Sequence, residues 1–128
     1  MQTGDLPGSI AVELEGCRVV LCLAGEIDLA VVLAFQQAHR GQPVAVDAMD
    51  AGAVSFMDLA GVYLMLKCKR DSATLGLAAA LRRSSRAVDR VLRLTGLHGV
   101  LRGEGPPLVL SAPALTSEPV GDIVWMRR

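Results

Sequence analysis

The nucleophilic and ionisable side chains of this sequence are spaced for packing and capping rather than for catalysis. His39 and His98 lie near predicted helix ends, and no nucleophile is obviously paired with either. Cys17, Cys22 and Cys68 are odd in number and lack the short paired spacing of a metal site. We interpret them as reduced, buried thiols. Because no Gly-rich phosphate loop occurs either, we predict a protein that is not an enzyme and uses no cofactor or metal.

Asp58 is the carboxylate whose position matters most. It stands where a helix N-cap is expected, between the run VSFM (54–57) and a predicted helix over 58–70. A loop would then deliver the chain to an exposed helix N-terminus, which favours anions and phosphate. Two interpretations stay open, a functional loop and a well-capped core helix. The apolar face of this helix is predicted by the spacing i, i+3, i+4 and i+7 of Leu59, Val62, Tyr63 and Leu66.

Two further groups could contact a ligand or a partner. Asp28 precedes another helical pattern, where a cap is the commoner role for an aspartate. Four arginines follow each other at i, i+3, i+7 and i+10 and predict one basic stripe on the third helix: Arg83, Arg86, Arg90 and Arg93. The stripe is either a solvated face, softened by pairing of Asp89 with Arg93, or a docking edge for an acidic partner surface.

These residues need a scaffold of alternating strands and helices. Apolar runs predict strands near 10–15, 17–24, 43–47 and 74–79, and helical spacing predicts helices near 28–39, 58–70 and 85–95. The first two strands read as a hairpin. Each later strand alternates with a helix, which implies right-handed crossovers and parallel pairing.

Composition limits the function further. The 128 residues suffice for one domain, 52% of them are apolar, and the formal net charge is zero. Aromatic residues make up only 3% of the chain, which disfavours nucleic-acid binding by base stacking. No apolar run reaches the roughly 20 residues that span a bilayer, and the N-terminus does not resemble a secretory signal. We therefore predict a cytoplasmic protein that neither binds nucleic acid nor inserts directly into a membrane.

Three segments, in this order, resemble the STAS family of bacterial anti-sigma factor antagonists and their relatives. They are GEIDLA (25–30), VDAMDAGAVSFMDLAGV (46–62) and RAVDRVLRLTGL (86–97). The resemblance implies an α/β fold with a mixed sheet of four to five strands and helices packed on one face. We divide the chain into an N-terminal lead-in (1–8), a STAS-like domain (9–103) and a proline-containing C-terminal extension (104–128). In the extension, residues 107–111 are a candidate last strand, and residues 122–128 are either a further edge strand or a mobile tail.

The family's regulatory motif reads Asp-Ser-Ser-Gly or Asp-Ser-Thr-Gly, and a partner that is both anti-sigma factor and kinase phosphorylates the hydroxyl before the glycine. Phosphate abolishes binding to that partner. This sequence has Asp58-Leu59-Ala60-Gly61, so Ala60 stands at the phosphosite and no hydroxyl is present. The resemblance thus implies a non-phosphorylatable, protein-binding regulator of transcription whose partner is an anti-sigma factor or a related kinase-like protein. Ser55 is the nearest alternative acceptor.

The alternative is an accessory subunit of a transport ATPase or of a signalling scaffold. A small-ligand sensor has less support, because no convergent polar pocket can be read from the sequence, which also predicts no particular oligomeric state. The predicted partner-binding residues are Asp28, Ser55, Met57, Asp58, Leu59, Ala60, Gly61, Arg83, Arg86 and Arg90.

Overall fold

A computed structural model of the protein describes residues 6–103. Within that range the strands are β1 (Gly8–Glu15), β2 (Arg18–Ile27), β3 (Ala48–Met57) and β4 (Ala80–Ser84). The helices are α1 (Leu29–Ala38), α2 (Leu59–Ala73), α3 (Arg86–Thr95) and α4 (His98–Arg102). The three helices that the sequence predicts are present, and α4 is an additional short one. None of the described helices is long and apolar enough to cross a membrane.

The strands form one mixed sheet in the order β1-β2-β3-β4. β1 and β2 are an antiparallel hairpin whose turn contains Gly16, at φ +63°. β2 pairs in parallel with β3, and β3 in parallel with β4, so that Leu21 stands opposite Met49 and Met49 opposite Leu81. The predicted hairpin and the predicted parallel pairing are both confirmed.

All four helices pack on one face of this sheet. Their buried residues, such as Val62, Met65 and Leu92, form a single apolar cluster with Leu21 and Met49 of the strands. Successive strand residues point to opposite faces. The other face accordingly carries Cys22 and Asp50 and an ion pair between Glu15 and Arg82. The predicted mixed sheet with helices on one face is therefore confirmed.

The strand predicted at 43–47 is wrong, because α2 takes the hydrogen bonds that a neighbouring strand would have made. Asp71 Oδ2 accepts from the Val44 N–H at 3.3 Å, and the Cys68 thiol donates to the Val44 carbonyl at 3.3 Å. Ser72 Oγ accepts from the Val46 N–H at 2.8 Å. Residues 40–47, which we call the strap, are thus tied to the last turns of α2, and β3 begins only at Ala48.

The strand predicted at 74–79 is also wrong. The N–H groups of Leu75 and Leu77 both donate to the Ser72 carbonyl at 3.0 Å, which closes the end of α2 with turns. Ala79 then adopts a positive φ of 47°, and pairing with β3 starts at Ala80. α2 itself runs to Ala73, three residues beyond its predicted end.

The C-terminal boundary of α3 is set by Gly96, whose φ of +75° ends the helix as predicted. α4 follows and inserts Leu101 into the core. The candidate strand at 107–111 and the segment 122–128 both lie outside the described residues.

Candidate functional site at the N-termini of helices α1 and α2

Asp28 and Asp58 cap two neighbouring helices. Asp28 Oδ1 accepts from the Val31 N–H at 3.0 Å, and Asp58 Oδ1 accepts from the Ala60 N–H at 2.9 Å. The Asp58 N–H donates to the Ile27 carbonyl at 3.2 Å, at the point where the parallel strands β2 and β3 end side by side. The two capped N-termini therefore lie next to each other, and both aspartates have the capping role that their sequence positions indicate.

Gly61 lets the first turn of α2 lie directly on these strand ends. A Cβ atom at position 61 would come within 2.7 Å of Met57 Cγ and 3.0 Å of Ile27 Cγ2. Carbon atoms do not approach that closely without a shift of one of them. Met57 and Gly61 are both buried, so these two predicted contact residues shape the site from beneath its surface.

The remaining motif residues reach the surface to different degrees. The Leu59 side chain is 48% exposed, whereas Ala60 is half-buried and packs against the core. Ser55 is exposed, but it lies in β3 and not in a loop as the sequence suggests. Val54 pairs with Gly25 and the next pair joins Phe56 to Glu26, so Ser55 is the extra residue of a β-bulge.

Helix α2 turns a different side to the core from the one that its spacing predicts. The buried stripe consists of Gly61, Val62, Leu64, Met65, Cys68 and Ser72. Of the predicted face, only Val62 is fully buried; Tyr63 is 63% exposed and Leu66 is partly buried. A stripe of apolar side chains thus faces outward from the first turns of α2.

Helix α1 contributes matching exposed residues. Leu29, in its first turn, is 56% exposed, and Leu33 is also exposed one turn later. They extend the outward stripe of α2, since Leu29 and Tyr63 line one groove between the two helices. We call this set the apolar patch: Leu29, Leu33, Leu59 and Tyr63. Of these four residues, the predicted partner-binding set includes only Leu59.

A groove of about 470 Å³ runs between α1 and α2 through this patch. Leu29 and Ala60 line one end, and Lys67 and Arg70 line the other. Ten residues of helix separate Ala60 from Arg70, about 15 Å along the axis. The groove is therefore apolar near the capped N-termini and basic at its far end.

The predicted arginines form a separate surface. Arg83 lies on β4 and not on the third helix, while Arg86, Arg90 and Arg93 are exposed on α3. Arg83 pairs in register with Asp50, seven residues before Met57, which corresponds to about 23 Å of strand. The structure thus does not bring Arg83, Arg86 and Arg90 together with Asp58.

Asp89 binds partners other than the predicted Arg93. Its Oδ1 accepts a hydrogen bond from Ser84 Oγ and lies 3.5 Å from His98 Nε2. The Ser84 hydrogen bond is the main cause that lowers the pKa of the Asp89 carboxyl, and the charges of His98 and Arg102 add to it. Arg102 also donates to Ser84 Oγ at 3.0 Å, which links α4 to this cluster.

The exposed apolar side chains at the capped N-termini are therefore suited to binding another protein. Asp28 and Asp58 are engaged with backbone N–H groups, and the side chains around them are apolar. Within residues 6–103, no group of three or more His, Cys, Asp or Glu side chains is placed to hold a metal ion. Contiguous exposed apolar surface of this kind marks interaction sites on folded proteins.

Comparison with known proteins identifies one family over most of the chain. The sequence model of the STAS domain family matches residues 9–108. Among solved structures, the anti-sigma factor antagonist SpoIIAA in its unphosphorylated form superposes with a TM-score of 0.55 at 26% sequence identity. The match covers 70% of this chain and 82% of that one. A search of curated proteins gave no match.

Proposed function

Because the chain belongs to the STAS domain family, we propose that it is a protein-binding regulator of the anti-sigma factor antagonist type. Its partner would be an anti-sigma factor or a related kinase-like protein, as the similarity to SpoIIAA suggests. The observation that carries this proposal is the apolar patch, whose exposed side chains surround the Asp58-Leu59-Ala60-Gly61 motif.

The chemistry of the patch suits a protein partner. Tyr63 and Leu59 present large side chains at the centre of the patch, and aromatic residues are enriched among those that dominate binding energy. Fully burying a leucine side chain stabilises by roughly 1.5–3 kcal/mol, and about half of that surface is still exposed on Leu59. The groove beside them offers the partner an apolar cleft with a basic end at Arg70.

Control of partner binding would differ from that in family members whose motif is Asp-Ser-Ser-Gly or Asp-Ser-Thr-Gly. Positions 59 and 60 carry leucine and alanine, so neither can accept a phosphate. We propose that docking at this site is not switched by phosphorylation within residues 58–61. Leu59 stands where the family motif has a serine, so this position is apolar. An apolar side chain that cannot be phosphorylated favours a surface that is always able to bind the partner.

The test starts with capture of the partner. The full chain is immobilised, bound proteins are identified by mass spectrometry, and the affinity of the identified partner is measured by calorimetry. Capture of a kinase-like anti-sigma factor supports the proposal. Capture of a transport ATPase subunit in its place would support the alternative and contradict the proposal.

Two variants then locate the interface. Tyr63→Ala and Leu59→Ala should each weaken binding about tenfold, which corresponds to 1.4 kcal/mol. Leu94→Ala is the matched control, because Leu94 is 81% exposed on α3, away from the patch. Equal affinities of Leu59→Ala and Leu94→Ala for the partner would place the docking surface elsewhere.

A further inference from the structure

A second cavity shares residues with the groove. It has a volume of about 220 Å³, is partly open to solvent, and lies between the C-terminal half of α1, the strap and the middle of α2, with Leu21 of β2 also in its lining. Its walls include Phe35, Val44, Leu64 and Cys68, so its interior is mostly apolar. The patch and the motif take no part in it.

The strap holds this cavity open. Val44 is fixed on both sides, because its N–H donates to Asp71 and its carbonyl accepts from the Cys68 thiol. Arg40 and Gly41 both adopt positive φ values where the chain leaves α1. Gly41, Gln42 and Val44 of the strap then line one side of the cavity.

The polar side chains at its wall include donors and acceptors: Gln36, His39, Gln42, Lys67 and Asp71. Lys67 uses one N–H on Asp71, at 2.9 Å, which leaves its ammonium with two more donors. Gln36 and Gln42 add amide groups. The Asp71 carboxylate forms an ion pair with Lys67 and accepts a hydrogen bond from the Val44 N–H. Burial raises the pKa of the Cys68 thiol to about 11, so this thiol stays uncharged at neutral pH.

We propose that this cavity binds a small aliphatic monocarboxylate, with the chain among Phe35, Val44 and Leu64 and the carboxylate at Lys67. Its volume of about 220 Å³ exceeds that of apolar cavities of about 150 Å³ in other proteins, which bind guests such as benzene, so it has room for a short aliphatic chain. The anionic head is favoured because the free hydrogen-bonding capacity at Lys67 is donor capacity.

This site is distinct from the docking surface, yet it shares a wall with it. Gln36, Leu64 and Lys67 line both the cavity and the groove. A bound carboxylate would therefore lie beside residues that also line the groove. Binding of the carboxylate itself does not rest on the proposed function and is measured without any partner.

The experiment titrates the full chain with sodium octanoate in a calorimeter and by thermal unfolding. We expect saturable binding to one site and a melting temperature that rises with ligand concentration, since a ligand of the native state stabilises it. Octylamine, with the same chain and a cationic head, should bind at least tenfold more weakly. No stabilisation at about 10 mM octanoate, or equal binding of octylamine, would overturn the assignment.

Matched variants separate the cavity from non-specific binding. Val44→Phe fills the cavity and should reduce octanoate affinity at least tenfold, whereas Val91→Phe, at a half-buried valine of α3, should not. Lys67→Gln should weaken octanoate binding while Lys69→Gln on the same helix leaves it unchanged. Octanoate affinity in Val44→Phe equal to that of the native chain would refute the site.

A measurement on the native chain keeps the test independent of variant folding. Octanoate should shift the methyl resonances of Val44 and Leu64 in a titration followed by NMR and leave those of Val91 in place. Shifts confined to the apolar patch would contradict the cavity and assign octanoate to the surface.

Discussion

The capped end of α1 and α2 and the arginine surface of β4 and α3 are both candidate binding surfaces, but their side chains are in different states. At the capped end the polar groups are engaged with backbone N–H groups, and large apolar side chains remain exposed. At the arginine surface Arg83 lies 3.7 Å from Asp50, and nearby Asp89 is engaged by Ser84 and His98. The exposed groups there are charged and strongly hydrated.

The difference separates two kinds of contribution to binding. Burial of apolar surface supplies free energy directly, whereas exposed charges act mainly on association rate and orientation and are screened by salt. We therefore expect the capped end to hold the partner and the arginine surface to have a smaller, salt-dependent effect. Each prediction below tests one side of this comparison.

The largest expected effect comes from a charge placed in the groove. Ala60→Glu should weaken partner binding about 100-fold or more, because the carboxylate would be desolvated in the interface at a cost of several kcal/mol. In the isolated protein the dipole of α2 favours a carboxylate in the first turn by roughly 0.3–1 kcal/mol, which offsets part of the cost of a charge at the half-buried position 60. We therefore expect a folded protein with a lowered melting temperature. Calorimetry with the captured partner and a melting curve measure the two effects.

Two controls decide what the Ala60→Glu result means. Ala60→Gln has the same size without the charge and should lose much less affinity. Arg86→Glu reverses a charge on the arginine surface and should change affinity less than about threefold at physiological salt, the range of an exposed ion pair. A greater loss in Arg86→Glu than in Ala60→Glu would reverse the comparison.

The next prediction tests the close contact between Gly61 of α2 and the ends of β2 and β3. Gly61→Ala should lower the free energy of unfolding by about 1–3 kcal/mol, as overpacking does, because the new Cβ meets Met57 Cγ at 2.7 Å. Gly99→Ala in α4 is the matched control, since a Cβ there meets nothing within 4 Å. Denaturant unfolding measures both variants. Equal stabilities of the two variants would show that α2 does not depend on a glycine at this contact.

Most of the helical layer could be predicted from the sequence, because its signals are local. Asp28 and Asp58 each accept a hydrogen bond from a backbone N–H of the first turn, and Gly96 ends α3 in the left-handed conformation. The caps and the helix end depend on residues that are close together in the chain. The mixed sheet with helices on one face was predicted from the family resemblance.

The positions of β3 and β4 could not be predicted in the same way. Residues 43–47 and 74–79 resemble strands, but the backbone groups of Val44 and Val46 bond to α2, and the N–H groups of Leu75 and Leu77 bond in the turns that end it. β3 contains Asp50 and Gly52, which resemble loop residues in sequence. They are compatible with a strand because Asp50 lies on the open face of the sheet, near Arg82 and Arg83.

The apolar patch was missed for a related reason. Helix α2 is apolar on most of its circumference over its first two turns, so spacing alone does not decide which stripe is buried. Gly61 decides it, because the helix approaches the strand ends most closely on the glycine side. Leu59 and Tyr63 then point outward, where their sequence positions had suggested a buried face.

A smaller effect on stability is expected from Asp89, which lies in a cluster with Ser84, His98 and Arg102. Because the pKa of Asp89 is lowered in the folded protein, its ionised form adds stability above its ordinary pKa of about 3.9, and this stability is lost as the pH falls through the folded value. Asp89→Asn should therefore melt below the native chain at pH 7, and the gap should close under more acidic conditions.

Ser84→Ala serves as the companion variant. It removes the main hydrogen bond to Asp89 and should cost about 1 kcal/mol at neutral pH. Melting curves over a series of pH values measure both variants. A difference between Asp89→Asn and the native chain that stays constant with pH would show that the Asp89 carboxylate does not stabilise this cluster.

The smallest expected change in affinity comes from restoring the missing hydroxyl. Ala60→Ser adds one oxygen in the first turn of α2, beside the Asp58 cap, and should leave partner binding within about threefold, since the added group brings no charge. If the captured partner is a kinase, incubation with ATP should place phosphate on position 60 of this variant alone. That phosphate, with a charge of about −2, would then abolish binding, as Ala60→Glu does in part. Mass spectrometry reads the modification in the native chain and in the variant. Stoichiometric phosphate on Ser55 of the native chain would show that a switch has moved to the β-bulge of β3 and would contradict a surface that is always competent to bind.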